Sequence, residues 1–76
     1  MPSELARLTR SEWELILGEA TFCKIDIEIV RGYLINGMYQ VDVGGEVDRD
    51  RRTVYNRLHK YIFPRAQEVA HKLNII

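Results

Sequence analysis

Apolar residues recur at helical spacing along most of the chain. The first stripe follows Thr9 and Glu12, whose spacing is that of an N-terminal capping box. Its apolar members repeat every three or four residues and are Trp13, Ile16, Leu17 and Ala20. This pattern predicts a helix over about residues 10–19.

A second stripe predicts a helix with Asp26 as its N-terminal cap. Its apolar members are Ile29, Val30, Tyr33 and Leu34. Asn36 and Gly37 end it, because glycine accepts the left-handed backbone that closes a helix. The alternating isoleucines between residues 25 and 29 are also compatible with a strand, but the cap and the later 3.6-residue spacing favour a helix.

Three further segments complete the pattern. Residues 39–47 form a short helix around Gly44 and Gly45, which cost helix propensity of about 1 kcal/mol each, so that tertiary packing must hold it. The next helix starts at Asp50 and buries Val54, Leu58, Tyr61 and Ile62. Pro64 is expected to interrupt that helix, and a final amphipathic helix is expected from Ala66 to Leu73.

The pattern therefore predicts an all-α protein, a compact bundle of about five short helices in a single domain over residues 1–76. With 46% hydrophobic and 29% charged residues, the composition is that of a globular protein. We expect neither a membrane span nor a signal peptide. The lone Cys23 excludes an internal disulfide and, as a reduced thiol, favours the cytoplasm.

A short helix, a tight turn and a second helix over residues 40–60 have the layout of a DNA-binding helix-turn-helix. Five positions agree with that unit: Val43, Gly44, Val47, Val54 and Leu58. Gly44 falls where the two helices cross closely. The unit is atypical at Asp48, where glycine is usual, and at Arg49 and Arg57, where apolar residues are usual.

The net charge of zero conceals a strong asymmetry along the chain. Residues 1–48 hold four basic and nine acidic residues, a balance of −5. Residues 49–76 hold seven basic and two acidic residues, a balance of +5. An electrostatic footprint on one part of the surface is typical of nucleic-acid binders, although two ordinary solvated faces would give the same count.

The helix after the turn exposes side chains of the kinds that read base edges, since arginine pairs with guanine and asparagine with adenine. The predicted base-reading residues are Arg51, Arg52, Tyr55, Asn56 and His59. Phosphate contacts position a protein on DNA without specifying sequence. The predicted phosphate contacts are Gln40, Arg49, Arg57, Lys60 and Arg65.

The chain resembles the TrfB/KorA group of plasmid transcriptional repressors over about residues 8–62. The matching residues are Leu8, Thr9, Ser11, Glu12, Trp13, Ile27, Glu28, Ile29, Arg31, Gly32, Leu34, Gly37, Gln40, Arg51, Val54, His59 and Lys60. The segment Arg31–Gly37 is also similar to PapB-type fimbrial regulators. The resemblance implies a helical domain that binds operator DNA and self-associates, as a dimer or as a higher oligomer along DNA.

Self-association is expected through the last helix, residues 65–76, because Ile75 and Ile76 would otherwise be exposed apolar residues without a role. The predicted interface residues are Val69, Leu73, Ile75 and Ile76. A dimer would place two recognition helices in successive major grooves of a near-palindromic operator.

No enzyme motif is evident, and neither a cofactor nor a small-molecule substrate is expected. Cys23 lacks a base, and with His59 and His71 it has no metal-ligand spacing. The sequence thus predicts a transcriptional regulator, most simply a repressor, whose partner is double-stranded DNA. Two alternatives stay open: a protein-interaction module that uses the acidic front half, and a nonspecific architectural DNA binder.

Overall fold

Helices account for nearly all of the regular structure in the computed structural model, which describes residues 3–76. The α-helices are α1 (Ser3–Ala6), α2 (Arg10–Ala20), α3 (Lys24–Ile29), α4 (Gln40–Glu46), α5 (Arg51–Arg57) and α6 (Phe63–Lys72). A π-helical segment, Val30–Ile35, extends α3, and a second one, Leu58–Ile62, joins α5 to α6. Over these described residues there is no strand, so the predicted all-α class and the helical interpretation of residues 25–29 are confirmed.

Two of the predicted N-terminal caps are present. Thr9 Oγ1 accepts the Glu12 N–H at 3.2 Å while Glu12 Oε1 accepts the Thr9 N–H at 2.8 Å, which completes the capping box of α2. Asp50 Oδ1 accepts the Thr53 N–H at 2.7 Å and caps α5. These two local signals set where both helices begin.

The predicted cap at Asp26 is wrong. Helix α3 begins three residues earlier than a cap at Asp26 implies, with Cys23 as the N-cap residue, and Asp26 lies inside its first turn with a buried side chain. The carboxylate is used for an ion pair with Arg57, 31 residues later in the chain. A long-range partner of this kind leaves no local trace in the sequence.

The predicted break at Pro64 is also wrong, because the helix continues from residue 51 to residue 72. Proline lacks an N–H and its ring clashes with the carbonyl four residues before it. The π-helical segment just before Pro64 widens the backbone, and the Phe63 N–H bonds to the Leu58 carbonyl five residues back. Pro64 then occupies the first turn of α6, where its missing N–H costs little.

The core lies between α2 and the long helix over residues 51–72, with the α3 and α4 segments packed at its side. Its largest buried side chains include Ile16, Ile29, Val54, Leu58 and Ile62. The prediction that Tyr61 belongs to this core is wrong. Tyr61 is exposed, and the Arg57 guanidinium lies 4.4 Å from its ring centroid.

The end of α6 folds back onto its own helix. The Ile75 N–H bonds to the Ala70 carbonyl and the Asn74 N–H to the His71 carbonyl, with Asn74 left-handed at φ 58°, as in a Schellman closure. Ile75 and Ile76 are consequently half-buried against the core of their own chain.

The structure corrects the prediction of Val69 as an interface residue. Its side chain is 1% exposed because α6 packs against α2 within the chain. Of the four predicted interface residues, Leu73 has the most exposed side chain. No helix among residues 3–76 has the length and apolar character needed to cross a membrane.

Candidate nucleic-acid interface

The turn between α4 and α5 is held by backbone contacts around Gly44. The Arg49 N–H donates to the Gly44 carbonyl at 2.8 Å, and Asp48 between them is left-handed at φ 56°. A Cβ on residue 44 would lie 2.6 Å from the Arg49 carbonyl oxygen. The close approach predicted at Gly44 is therefore present, although its partner is the turn backbone rather than the second helix.

Asp48 shows how the chain manages without the usual turn glycine. Aspartate tolerates the left-handed region better than most residues because its short side chain can bond locally. Arg49, where an apolar residue was usual, is exposed, and its Nη1 donates to the Asp48 carbonyl at 2.9 Å. Asp50, the N-terminal cap of α5, follows this turn directly.

Helix α5 divides cleanly into two faces. Val54 and, one turn on, Leu58 are completely buried. Arg51, Arg52 and Tyr55 are exposed, with Arg52 on the side opposite Val54 and Arg51 at the start of the helix, and Asn56 is half-buried. We call these four residues, Arg51, Arg52, Tyr55 and Asn56, the α5 face. The structure brings these predicted base-reading residues together within two helical turns.

His59, the fifth predicted base-reading residue, lies one turn beyond the α5 face. Its ring is tilted on the Tyr55 ring with centroids 4.1 Å apart, and it meets the buried Phe63 edge-on at 5.1 Å. His59 thereby links the exposed Tyr55 to the core and restricts the orientation of the Tyr55 ring.

Arg57 anchors the helix from its other side. Its Nε and Nη2 donate to the two carboxylate oxygens of Asp26 at 2.8 and 2.7 Å, and Nη2 also lies 3.4 Å from Cys23 Sγ. The Asp26 side chain is only 4% exposed and that of Arg57 29%. The hydrogen bonds to Asp26 raise the pKa of Arg57 above its ordinary value despite partial burial.

The prediction that Arg57 contacts phosphate is therefore corrected. The planar fork that would grip a phosphate already holds the Asp26 carboxylate, and breaking a nearly buried pair is costly. This also explains why an arginine stands where an aliphatic residue is usual: it pairs with a carboxylate that α3 brings to the same place.

The remaining phosphate candidates differ in how free their side chains are. Arg65 Nη1 pairs with Glu68 at 2.7 Å, and its Nε donates to the Ala20 carbonyl at the end of α2. Within the described chain, four basic residues of the second half make no ion pair: Arg49, Arg51, Arg52 and Lys60. Gln40 is half-buried at the first position of α4.

An open groove of about 340 Å³ lies between the start of α4 and the start of α5. Its lining residues, referred to below as the Arg51 groove, are Tyr33, Tyr39, Gln40, Val41 and Arg51. The sequence predicted Tyr33 only as a member of an apolar helical stripe, and it indicated no functional role for Tyr39 or Val41. The sequence signal for this groove is the presence of two large apolar residues, Tyr39 and Val41, that do not belong to the buried stripe formed by Val43 and Val47.

Among residues 3–76 no group of three histidine, cysteine or acidic side chains is placed to hold a metal ion. Cys23 is exposed and its sulfur contacts only the Arg57 guanidinium among the hydrogen bonds of this region.

The fold and this surface define a small all-helical protein whose second half presents cationic and aromatic side chains on one helix face. Comparison of the chain with models of known protein families, with curated protein sequences and with solved structures gives no match.

Proposed function

We propose that this protein is a sequence-specific regulator of transcription that binds double-stranded DNA in the cytoplasm. In this proposal α4, the turn and α5 form a helix-turn-helix, and α5 lies in the major groove. The observation that carries the proposal is the α5 face, which combines two arginines, a tyrosine and an asparagine on the exposed side of a helix whose other side is fixed in the core.

Charge supports this proposal. Arg49, Arg51, Arg52 and Lys60 make no ion pair with any acid in residues 3–76, whereas Arg57, Arg65 and Lys72 each have one. The unpaired cations belong to the turn, to α5 and to the π-helical segment after it. Arg49 precedes α5 and Lys60 follows it, so these two cations flank the α5 face, where backbone phosphates would pass on either side of a helix in the major groove.

Rigidity supports it as well. Base discrimination requires side chains that are held in place before binding. The Asp50 cap and the turn closed on Gly44 hold the start of α5, and the Asp26–Arg57 pair holds its end. If the helix were loosely held, ordering its side chains on binding would cost free energy and weaken the affinity for DNA.

Repression by a dimer on a near-palindromic operator remains part of the proposal, and it rests on the resemblance to KorA-type repressors. In this proposal the dimer surface lies directly after α6, at the exposed Leu73 with the half-buried Ile75 and Ile76 beside it. A deletion of residues 65–76 does not test the dimer alone, because Ala66, Val69 and Ala70 belong to the core.

Salt dependence of binding to duplex DNA tests the electrostatic part of the proposal. If Arg49 and Lys60 each neutralise one phosphate, the slope of log K against log salt is roughly −2 for one chain and roughly −4 for two. Fluorescence anisotropy with a labelled duplex measures it. Absence of binding at low salt would contradict the proposal and favour a protein-interaction module that uses the acidic front half.

A further inference from the structure

The Arg51 groove has a chemistry different from that of the rest of the α5 face. Its lining combines one guanidinium, one side-chain amide and two phenol rings, and it includes no carboxylate. Tyr39 is 78% exposed and Val41 61% exposed. Large side chains held this far into solvent beside an unpaired arginine are typical of a surface that a partner covers.

We propose that the Arg51 groove holds a phosphate of one DNA strand, so that Arg51 contacts the DNA backbone rather than a base. This inference rests on the proposed function, and it assigns backbone roles to Tyr39 and Gln40 with Arg51. The arginine fork matches the oxygens of a phosphate, and tyrosine and glutamine side chains commonly donate to phosphate oxygens.

Because of helix geometry, Arg51 and Arg52 point in different directions from α5. Consecutive residues of an α-helix point about 100° apart, whereas residues four apart share one side. Arg52 and Asn56 therefore lie on one ridge of α5, while Arg51 lines the groove with the first residues of α4. With the Arg52–Asn56 ridge toward the base edges, the strand that borders the major groove passes over the start of α4.

A free phosphate ion presents the same oxygens as a DNA phosphate. The groove is open along its length rather than closed around a small anion, and Tyr39 and Val41 stand at the surface where a continuous strand could cover both. These features favour the phosphodiester backbone, and inorganic phosphate then serves as the competing ligand in the test.

The experiment compares Tyr39→Phe and Arg51→Gln with wild type on the preferred duplex and on a random duplex, by fluorescence anisotropy over a range of salt. Loss of the Tyr39 hydroxyl should weaken both affinities by the same factor, on the order of three- to tenfold. Arg51→Gln should also reduce the salt slope by about one and leave the preferred sequence unchanged.

Two variants serve as matched controls. Tyr61→Phe removes an exposed hydroxyl next to Arg57, away from the groove lining, and Lys24→Gln removes an exposed charge from α3. Both should keep wild-type affinity and slope. Inorganic phosphate at constant ionic strength should not displace duplex DNA from the wild-type protein.

Three results would overturn the inference. A changed base preference in Arg51→Gln would assign Arg51 to base reading, and wild-type affinity in Tyr39→Phe would remove Tyr39 from the interface. Displacement of DNA by inorganic phosphate from wild type but not from Arg51→Gln would identify a free anion as the ligand. Wild-type protein that binds no duplex at all would instead overturn the proposed function itself.

Discussion

At the scale of single residues, the turn before α5 requires a residue without a Cβ at position 44. The backbone of the turn lies where a Cβ of residue 44 would be, and the backbone oxygen of Arg49 cannot move without moving Asp50 and the start of α5. The neighbouring Gly45 has nothing within 4 Å of its own Cβ position. The two adjacent glycines thus have different reasons to be there, and only one is needed by the turn.

The first prediction uses that difference. Gly44→Ala should lower the free energy of unfolding by roughly 1–3 kcal/mol, because the new methyl group overpacks against backbone. Gly45→Ala should leave stability unchanged or raise it by up to about 1 kcal/mol, because alanine is the better helix former. Urea denaturation followed by circular dichroism measures both, and equal effects of the two substitutions would contradict the account of the turn.

Asp50 is the second residue on which α5 depends. The hydrogen bond that the Asp50 carboxylate accepts from the Thr53 N–H lowers the pKa of Asp50 below the ordinary 3.8. The Thr53 side chain and the charge of Arg52 lower this pKa further. Because the pKa is lower in the folded state, this contribution to stability is complete above about pH 3.8 and is lost as the pH falls through the folded pKa.

Asp50→Asn keeps a capping oxygen but cannot titrate, which isolates this effect. We expect the melting temperature of wild type to fall relative to that of Asp50→Asn as the pH is lowered through that range. All other titrating groups are common to both proteins, so they cancel in the difference. A difference that stays constant from neutral to acid pH would show that the Asp50 charge contributes nothing to the cap.

At the scale of elements, one ion pair ties α3 to α5. Arg57 and Asp26 are 31 residues apart and bind through two hydrogen bonds in a largely buried place. By contrast, the Arg31–Glu14 pair at 2.6 Å has both side chains about half exposed, where solvent screening reduces its value. The two ion pairs have similar N···O distances, but the largely buried pair is expected to contribute more to the free energy of unfolding.

The third prediction compares these two pairs. Asp26→Ala should cost roughly 2–4 kcal/mol, somewhat below the value for a fully buried pair, because Arg57 keeps 29% exposure. The double variant with Arg57→Ala should cost less than the sum of the single variants. Glu14→Ala, as the control, should cost about 1 kcal/mol or less. Additive effects at Asp26 and Arg57 in urea denaturation would exclude the coupling.

The elements also show which parts of the fold can be predicted from sequence. Caps at Thr9 and Asp50, the end of the α3 segment at Gly37 and the buried stripes are local signals, and the structure contains them. The continuation through Pro64 was missed because the π-helical segment that accommodates it has no distinct sequence pattern.

Some parts of the candidate site can be predicted from the sequence, whereas others depend on contacts between distant segments. The exposed side of α5 follows from helical periodicity, so its four residues were found together. The Asp26–Arg57 pair and the Arg51 groove depend on how distant segments meet, and periodicity within one helix carries no information on that.

At the scale of the whole molecule, the described chain is an elongated bundle of 33 × 20 × 19 Å whose long dimension matches the length of the continuous helix over residues 51–72. The proposed DNA-contacting face is at the start of that helix and the proposed dimer surface at its end. One helix would therefore set the distance between the two α5 faces of a dimer.

The fourth prediction concerns that dimer. Leu73→Ser should shift the protein toward monomer in sedimentation experiments while lowering the free energy of unfolding by roughly 1–2 kcal/mol, because Leu73 is 36% exposed and buries the rest of its surface in its own chain. Leu15→Ser, which changes an exposed leucine on α2, is the matched control and should leave the assembly unchanged. Loss of the dimer in Leu15→Ser alone would move the interface to α2.

The central claim is that α5 reads DNA sequence through Arg52 and Asn56, and selection of bound sequences from a random duplex library tests it most directly. The account predicts an enriched near-palindromic motif for wild type that is lost or altered in the Arg52→Ala, Asn56→Ala double variant and kept in Tyr61→Phe. Wild-type binding without any enriched motif would contradict sequence reading and indicate an architectural DNA binder. No binding at all would contradict DNA recognition altogether.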